Sequence, residues 1–409
     1  MGDEMKKFVP LDEAHALMDE LRKKFYFNRE VETVSVEDVL GRELAEDIVA
    51  AEASPKYNFA SYDGYAMRSE DCESYPLRIV HSVYAGDEKE EIPALNKGEA
   101  MAIATGAYLP EGAEAVLRLE DARVEGNLLY GIPIKKWTKV VKAGSNYKKS
   151  DVVLRKFQRS RPQEIGILHD MGVEKVKVFK KPRVAVFSTG DEVHKGLLRD
   201  ANSPMIMAFL KEWGCEAKFL GIIPDNLEAT KQKFVEGSEY DATITSGGVS
   251  VGEKDYVLRA IEERGVLLLH KVKTRPGKPL AVGIINGKPV FGLPGKPTGA
   301  FVAAELNLRR YFLGNAARPT VTSEIGEDIK LSTKDTDAAD VANIVFVHRY
   351  NGVAYPVGFE NSPMKLIRSG EIYNVSTIAS SLRAANADGY VIVSRDLRKG
   401  ETVEVNLFS

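Results

Sequence analysis

Between residues 183 and 314, four apolar runs each stop on glycine, serine, proline or an acid, and each is followed by a stretch with helical spacing. "RVAVFST" (183–189) runs into "GDE", "EAKFLGII" (216–223) into "PDN", "DATIT" (241–245) into "SGG", and "KPVFGLP" (288–294) into "GKP". The intervening "NSPMIMAFLKEWG", "LEATKQKFVEG", "DYVLRAIEERG" and "GAFVAAELNLRRYFLG" carry apolar residues three and four apart. Strands that alternate with helices of this length predict a parallel sheet covered by helices on both faces, a three-layer α/β domain. In such a sheet ligands bind outside the carboxyl ends of the strands.

The rest of the chain has other periods. Residues 11–25, "LDEAHALMDELRKKF", place Leu11, Leu17, Met18, Leu21 and Phe25 on one face of an amphipathic helix. His15 lies on it with a structural or solvated role. "RPQEIGILHDMG" (161–172) reads as a second helix with Gly172 as its C-cap. Residues 47–145 hold short strand-like runs broken by turn signals, and are read as a β-rich domain inserted between helical flanks. Beyond about residue 325 the period falls to two, as in "VANIVFVHRY" and "ADGYVIVSRD", so a C-terminal β-domain is expected. The 409 residues suit two to four domains.

Composition narrows the class. Net charge is −3, so the chain lacks the overall basic balance of a nucleic-acid binder. Two cysteines, Cys72 and Cys215, exclude a disulfide framework and argue against a cysteine zinc site. The start "MGDEMKKFVPLDEA" lacks a signal-peptide apolar core, and no run of 18 apolar residues occurs. A cytoplasmic setting without membrane or nucleic-acid partners is expected.

The strand ends supply the candidate site. The first gives Thr189, Gly190, Asp191 and Glu192, the second Asp225. The third gives Ser246, Gly247, Gly248, Ser250, Gly252 and then Asp255; the fourth gives Pro294, Gly295, Lys296 and Pro297. "TRPGKP" adds Arg275 and Lys278. Gly247 and Gly248 let backbone approach a ligand and are expected to present consecutive N–H groups as an anion nest, with Thr245, Ser246 and Ser250 adding hydroxyls. The following helix would aim its N-terminus at the same ligand. Glu192, Asp225 and Asp255 would repel a phosphate unless a divalent cation lay between, which points to Mg²⁺ held by Asp255 with Glu192 or Asp225 and by substrate phosphates. In the first β-rich region, Asp63–Gly64 reads from the residues alone as a turn, and Thr105–Gly106 as a loop between strands.

Seven stretches in register, "ASYDGYA", "IATGAYLPEGAEAV", "STGDEV", "GIIPDN", "TSGGVSVGEKDY", "RPGKPLAVG" and "FGLPGKP", make the chain resemble the molybdopterin molybdenumtransferases, the molybdenum-insertion enzymes similar to the E domain of gephyrin. The resemblance runs from about residue 10 to the C-terminus. It implies a helical linker domain (1–46 plus 146–180), an inserted β-rich domain (47–145), an α/β pterin-binding domain (181–324) and a β-barrel-like C-terminal domain (325–409), in an elongated homodimer. It implies that adenylylated molybdopterin and molybdate, or tungstate, yield molybdenum cofactor and AMP with Mg²⁺. By motif match Asp63, Glu192, Asp225 and Asp255 resemble the functional carboxylates. Thr105 and Gly106 fall on the family's TGA motif, Lys278 and the "LPGKP" loop on the pterin and oxyanion side, and Arg349 and Ser369 roughly on anion contacts. Three positions depart from the family pattern: Asn146 where an acid is usual, Lys296 where "LPGNP" is usual, and Arg275 where lysine is usual. Arginine forks onto oxyanions and is no neutral exchange for lysine.

Two other readings fit the residues. A pterin adenylyltransferase has similar Gly-Gly loops, and would consume ATP with pterin in the absence of molybdate. A non-catalytic scaffold holding the finished cofactor would not need the carboxylates. The insertion reading would also accommodate the pterin adenylyltransferase and the cofactor-accepting enzymes as protein partners.

Overall fold

The computed structural model describes residues 6–249, 255–315, 318–331, 341–358 and 382–408. Its described residues divide into two compact units, one of 1–30 and 180–409, the other of 31–179.

The first unit is built on a seven-stranded sheet. Four strands are parallel, in the spatial order Glu216–Ile223, Arg183–Thr189, Ala242–Ser246, Lys288–Leu293. These are the four runs read from the sequence. The sheet then continues antiparallel through Ala281–Ile285 and Gly265–Val272, and ends on Lys6–Val9. It is therefore mixed rather than wholly parallel. The antiparallel turn is Asn286–Gly287, both at positive φ (48° and 74°), an Asn-Gly hairpin turn between apolar runs.

Chain order makes a switch point in this sheet. From Arg183–Thr189 the chain moves outward to Glu216–Ile223, then returns to Ala242–Ser246 on the other side. The two crossovers leave a crevice at the carboxyl ends of the 183–189 and 242–246 strands, where open α/β sheets bind ligands. These two strands are buried on both faces, which explains their unbroken apolar runs. Val184, Val186 and Ile244 face one core, and Phe187 enters another with Phe234 and Val257. Each fully buried aliphatic side chain contributes about 1.5–3 kcal/mol.

The helix Leu11–Phe25 forms as expected, with Leu17, Met18 and Leu21 buried. They pack with Val184, Val186 and Phe312 in the α/β core. Its apolar stripe is thus covered by the sheet of the first unit. The last expected helix bends through three segments, Pro297–Ala303, a π-turn at Ala304–Leu308, and Arg309–Leu313.

The C-terminal strands close on themselves. Ala342–Tyr350, Val353–Pro356, Thr320–Ile325, Thr402–Leu407 and Gly389–Val393 are paired in sequence around a ring, and the last pairs back with the first. Closure removes exposed strand edges. One short strand, Thr274–Arg275, joins this barrel by pairing with Ala342 and Asn343, which fixes the backbone of Arg275.

The second unit holds a six-stranded sheet in the order Ala115–Arg118, Gly64–Met67, Glu99–Ile103, Leu77–Val83, Leu128–Gly131, Ala122–Glu125. Its flanks are less helical than the sequence suggested. They contain one α-helix, Pro162–Asp170, beside two-stranded ribbons such as Val31–Ser35 with Lys175–Phe179. "VETVS" and "KVKVF" alternate with period two, which is strand patterning. Among the described residues no helix is long and apolar enough to cross a membrane.

Candidate active site at the sheet switch point

A cavity of about 800 Å³ opens at the switch point. Thr189, Gly190, Glu192, Asp225, Ser246, Gly247, Gly248, Asp255, Arg275, Lys278, Pro294, Gly295 and Pro297 all line it. Sequence positions more than 100 residues apart thus share one wall because four strands end side by side. Ser250, Gly252 and Ser369 lie outside the described residues. Asp191 and Arg349 do not line the cavity. The Asp191 carboxylate instead accepts from Asp225 N–H at 3.2 Å and lies 3.3 Å from Lys195 Nζ. Arg349 sits on the barrel strand Ala342–Tyr350, where its Nε donates to Ser323 Oγ at 3.1 Å.

The carboxylates have distinct settings. Asp225 accepts from Thr189 Oγ1 at 3.0 Å and from Asp191 N–H at 3.2 Å. With the Asp191–Asp225 bond returned in the other direction, this stitches the ends of two adjacent strands. Glu192 has no hydrogen-bond or ion-pair partner for its carboxylate among the described residues. Its oxygens lie 3.3–3.4 Å from where a side chain on Gly190 would begin, and Gly190 has φ +149°. Glycine at 190 therefore leaves room for this carboxylate. Asp255 stands at the N-cap of the helix Tyr256–Arg264.

Among the described residues no group of three or more His, Cys, Asp or Glu is close enough to hold a metal. The reason is local: Asp225 is turned to Thr189 and the Asp191 amide. What remains is hard oxygen donors on one cavity wall. That suits Mg²⁺, which takes one or two carboxylates and completes its octahedron with phosphate oxygens and water.

The glycine loop also differs from expectation. Gly247 N–H donates to Leu293 O at 3.0 Å, so it is spent on the neighbouring strand and not open to an anion. Among the described residues the N–H groups of Gly248 and Val249 have no internal partner, which moves the open donors one residue along. Thr245 is fully buried and outside the cavity lining, because alternate residues of a strand point to opposite faces. Gly247 has φ +97°, and a Cβ there would lie 2.3 Å from Thr189 O. Only glycine fits.

The cationic side comprises Arg275, Lys278 and Lys296. Lys278 Nζ lies 4.4 Å from the centroid of the Phe8 ring, so the edge strand helps hold the ammonium. The sequence reading missed Asp200 and Asn202, which also line the cavity. Asp200 accepts from Ser188 Oγ at 2.9 Å and from the N–H groups of Asn202 and Ser203 at 3.0 Å each. The available signal was "DANS" directly before an apolar-periodic helix, an N-terminal capping pattern.

Asp63, Thr105 and Gly106 belong to the second unit and are exposed at the ends of two adjacent strands, Gly64–Met67 and Glu99–Ile103. Asp63 Oδ1 accepts from both the N–H and the hydroxyl of Thr105, at 2.6 and 2.9 Å. The Thr105 N–H, then its hydroxyl, hold the Asp63 carboxyl below the ordinary carboxylate range. Asp63–Gly64 is not a simple turn. Gly64 opens a strand so tightly paired that a Cβ there would lie 1.9 Å from Leu117 O.

Comparison with known proteins agrees with this geometry. Residues 9–172 match the family described as "MoeA N-terminal region (domain I and II)", and residues 185–313 that described as "Probable molybdopterin binding domain". The chain is 32% identical to a molybdopterin biosynthesis protein of Methanocaldococcus jannaschii, over 98% of this chain and 99% of that one. It is 35% identical to the molybdopterin molybdenumtransferase of Staphylococcus epidermidis, over 68% of this chain and 69% of that one. The crystal structure of the molybdopterin biosynthesis MoeA protein of Pyrococcus horikoshii superposes with a TM-score of 0.71 at 31% identity, covering 98% of this chain and 99% of that one. Identity at this level over nearly the whole length, with the same fold and the strand-end motifs gathered in one cavity, means that the chain belongs to the MoeA family of molybdopterin molybdenumtransferases.

Proposed function

We propose that this chain performs the reaction of its family, insertion of molybdenum into molybdopterin, with adenylylated molybdopterin and molybdate as substrates and AMP as the leaving product. The observation that carries this reading is the cavity at the switch point, lined by Gly248 and Val249, whose N–H groups have no partner among the described residues, by three cationic side chains and by Glu192. The substrate phosphates suit the Gly248–Val249 amides. Molybdate, a dianion, suits Arg275 and Lys278. Glu192, with Asp225 or Asp255, would hold Mg²⁺. When bound, the ion would neutralise phosphate charge and polarise the phosphoanhydride. The protein's own part is to orient the pterin-nucleotide and to keep the oxyanion beside the dithiolene sulfurs.

The reading includes a homodimer in which Asp63 of one copy serves the cavity of the other, and a cytoplasmic setting. Domain limits near 46, 145, 180 and 324 are part of it. Turnover of adenylylated molybdopterin tests it, with AMP release measured against molybdate and tungstate in parallel. The expected result is Mg²⁺-dependent AMP release coupled to metal insertion. ATP consumption with pterin, giving adenylylated pterin and pyrophosphate without either oxyanion, would favour the adenylyltransferase instead, and oxyanion-independent cofactor binding without turnover the scaffold.

A further inference from the structure

Asn202 begins the helix Asn202–Glu212 and is 7% exposed, yet its side chain does nothing for that helix. The helix end is already served by Asp200, whose carboxylate accepts from the N–H groups of Asn202 and Ser203. The Asn202 amide reaches away from it. Nδ2 donates to Ser246 Oγ at 2.6 Å and to Gly295 O at 2.8 Å, with Pro294 O at 3.5 Å. Ser246 Oγ in turn donates to Pro294 O at 3.2 Å. One amide nitrogen therefore joins the end of the 242–246 strand to the loop after the 288–293 strand. Here the two loops touch, since a Cβ on Gly295 would lie 3.7 Å from Gly247 Cα.

The other end of the amide points the same way. Asn202 Oδ1 is buried and has no partner among the described residues. A buried polar atom left unpaired costs about 1–3 kcal/mol. The NH₂ group has two hydrogens on one atom, which is what two acceptors from two loops require.

We propose that Asn202 is a positioning residue for the known reaction. It holds the Gly247–Gly248 loop and the Pro294–Gly295 loop in register, so that the open backbone donors and the Lys296 loop meet the pterin-nucleotide together. This rests on the reading that the cavity binds adenylylated molybdopterin.

The test compares Asn202→Asp and Asn202→Ala in the full chain. Aspartate is isosteric, but when ionised it offers only acceptors to the Gly295 and Pro294 carbonyls. When protonated it regains one donor. Alanine regains none. With adenylylated molybdopterin as substrate, both variants should raise KM by roughly tenfold, the size expected for loss of about one to two net hydrogen bonds, while kcat changes less. The kcat/KM of the aspartate variant, divided by that of the wild type at the same pH, should climb as pH falls. The same ratio for the alanine variant should stay flat. A purely structural role would lower the melting temperature of both variants and leave KM and the pH ratio unmoved, which would overturn the proposal. If neither variant folds, Asn202→Ser keeps one donor and should give an intermediate KM; a wild-type KM there would also overturn it. Calorimetric titration of the wild type with adenylylated molybdopterin separates the two levels. No binding by the wild type refutes the reading of the cavity, whereas wild-type binding with unaltered variants refutes only the role of Asn202.

Discussion

Replacement of Gly247 by alanine isolates a steric term that the sheet imposes. Gly247 has φ +97°, and its added Cβ would lie 2.3 Å from the Thr189 carbonyl oxygen, with no flexible side chain to yield. Gly221 provides a matched control. It lies in the same sheet with φ +99° and has nothing within 4 Å of an added Cβ. Both substitutions place an L-residue where the backbone disfavours it, at about 1–3 kcal/mol each. Only Gly247→Ala also forces a backbone shift, which as overpacking adds about 1–3 kcal/mol. Trp213 is almost fully buried in the α/β core and reports its unfolding, and a Trp137→Phe background removes the other indole. Urea unfolding by fluorescence should place Gly247→Ala below Gly221→Ala by that second increment. Calorimetry with adenylylated molybdopterin should show at least a tenfold loss for Gly247→Ala alone. Equal unfolding midpoints and equal affinities for the two variants would refute the contact argument.

The remaining predictions concern the carboxylates. Asp255→Asn should lower Mg²⁺-dependent AMP release far more than it lowers pterin-nucleotide binding; full activity would remove Asp255 from the chemistry. Thr105→Val deletes the hydroxyl bond to Asp63 and keeps the N–H bond, so the Asp63 carboxyl, followed by carbon-13 NMR, should titrate at higher pH than in the wild type. The sign follows from the depressed folded pKa: this group stabilises the fold fully above the unfolded value of about 3.9 and loses that contribution as pH falls through the folded value. An unchanged titration would show that the hydroxyl bond is irrelevant. For the proposed homodimer, Asp63→Ala and Asp255→Ala copies should each be nearly inactive alone, while a purified hybrid of the two recovers about half the activity through one intact shared site. A hybrid that folds and stays inactive would mean that Asp63 serves its own chain.

The four parallel strands, their helices and their polar ends could be read in the chain because local periodicity and turn chemistry specify them. So could the amphipathic face of residues 11–25, but not the core it would join: a stripe of leucines does not say what covers it. The antiparallel part of the sheet went unread even though "ING" at 285–287 carries an Asn-Gly hairpin signal. In the site, Glu192, Asp225 and Arg275 were identified by residue type and position after a strand. Which donors are open was not, since Gly247 loses its N–H to Leu293, a neighbour made only by the order of strands in the sheet. Asp191 shows the same limit, as its side chain faces Lys195 and the Asp225 amide and not the cavity. Asn202 shows it most fully. Its partners are 44 and 93 residues away, so the bond exists only because two crossovers bring three chain segments to one end of the sheet. Backbone preference and burial are local properties that sequence encodes directly. Hydrogen-bond partnership between loops depends on strand order, and strand order is settled by how the whole core packs.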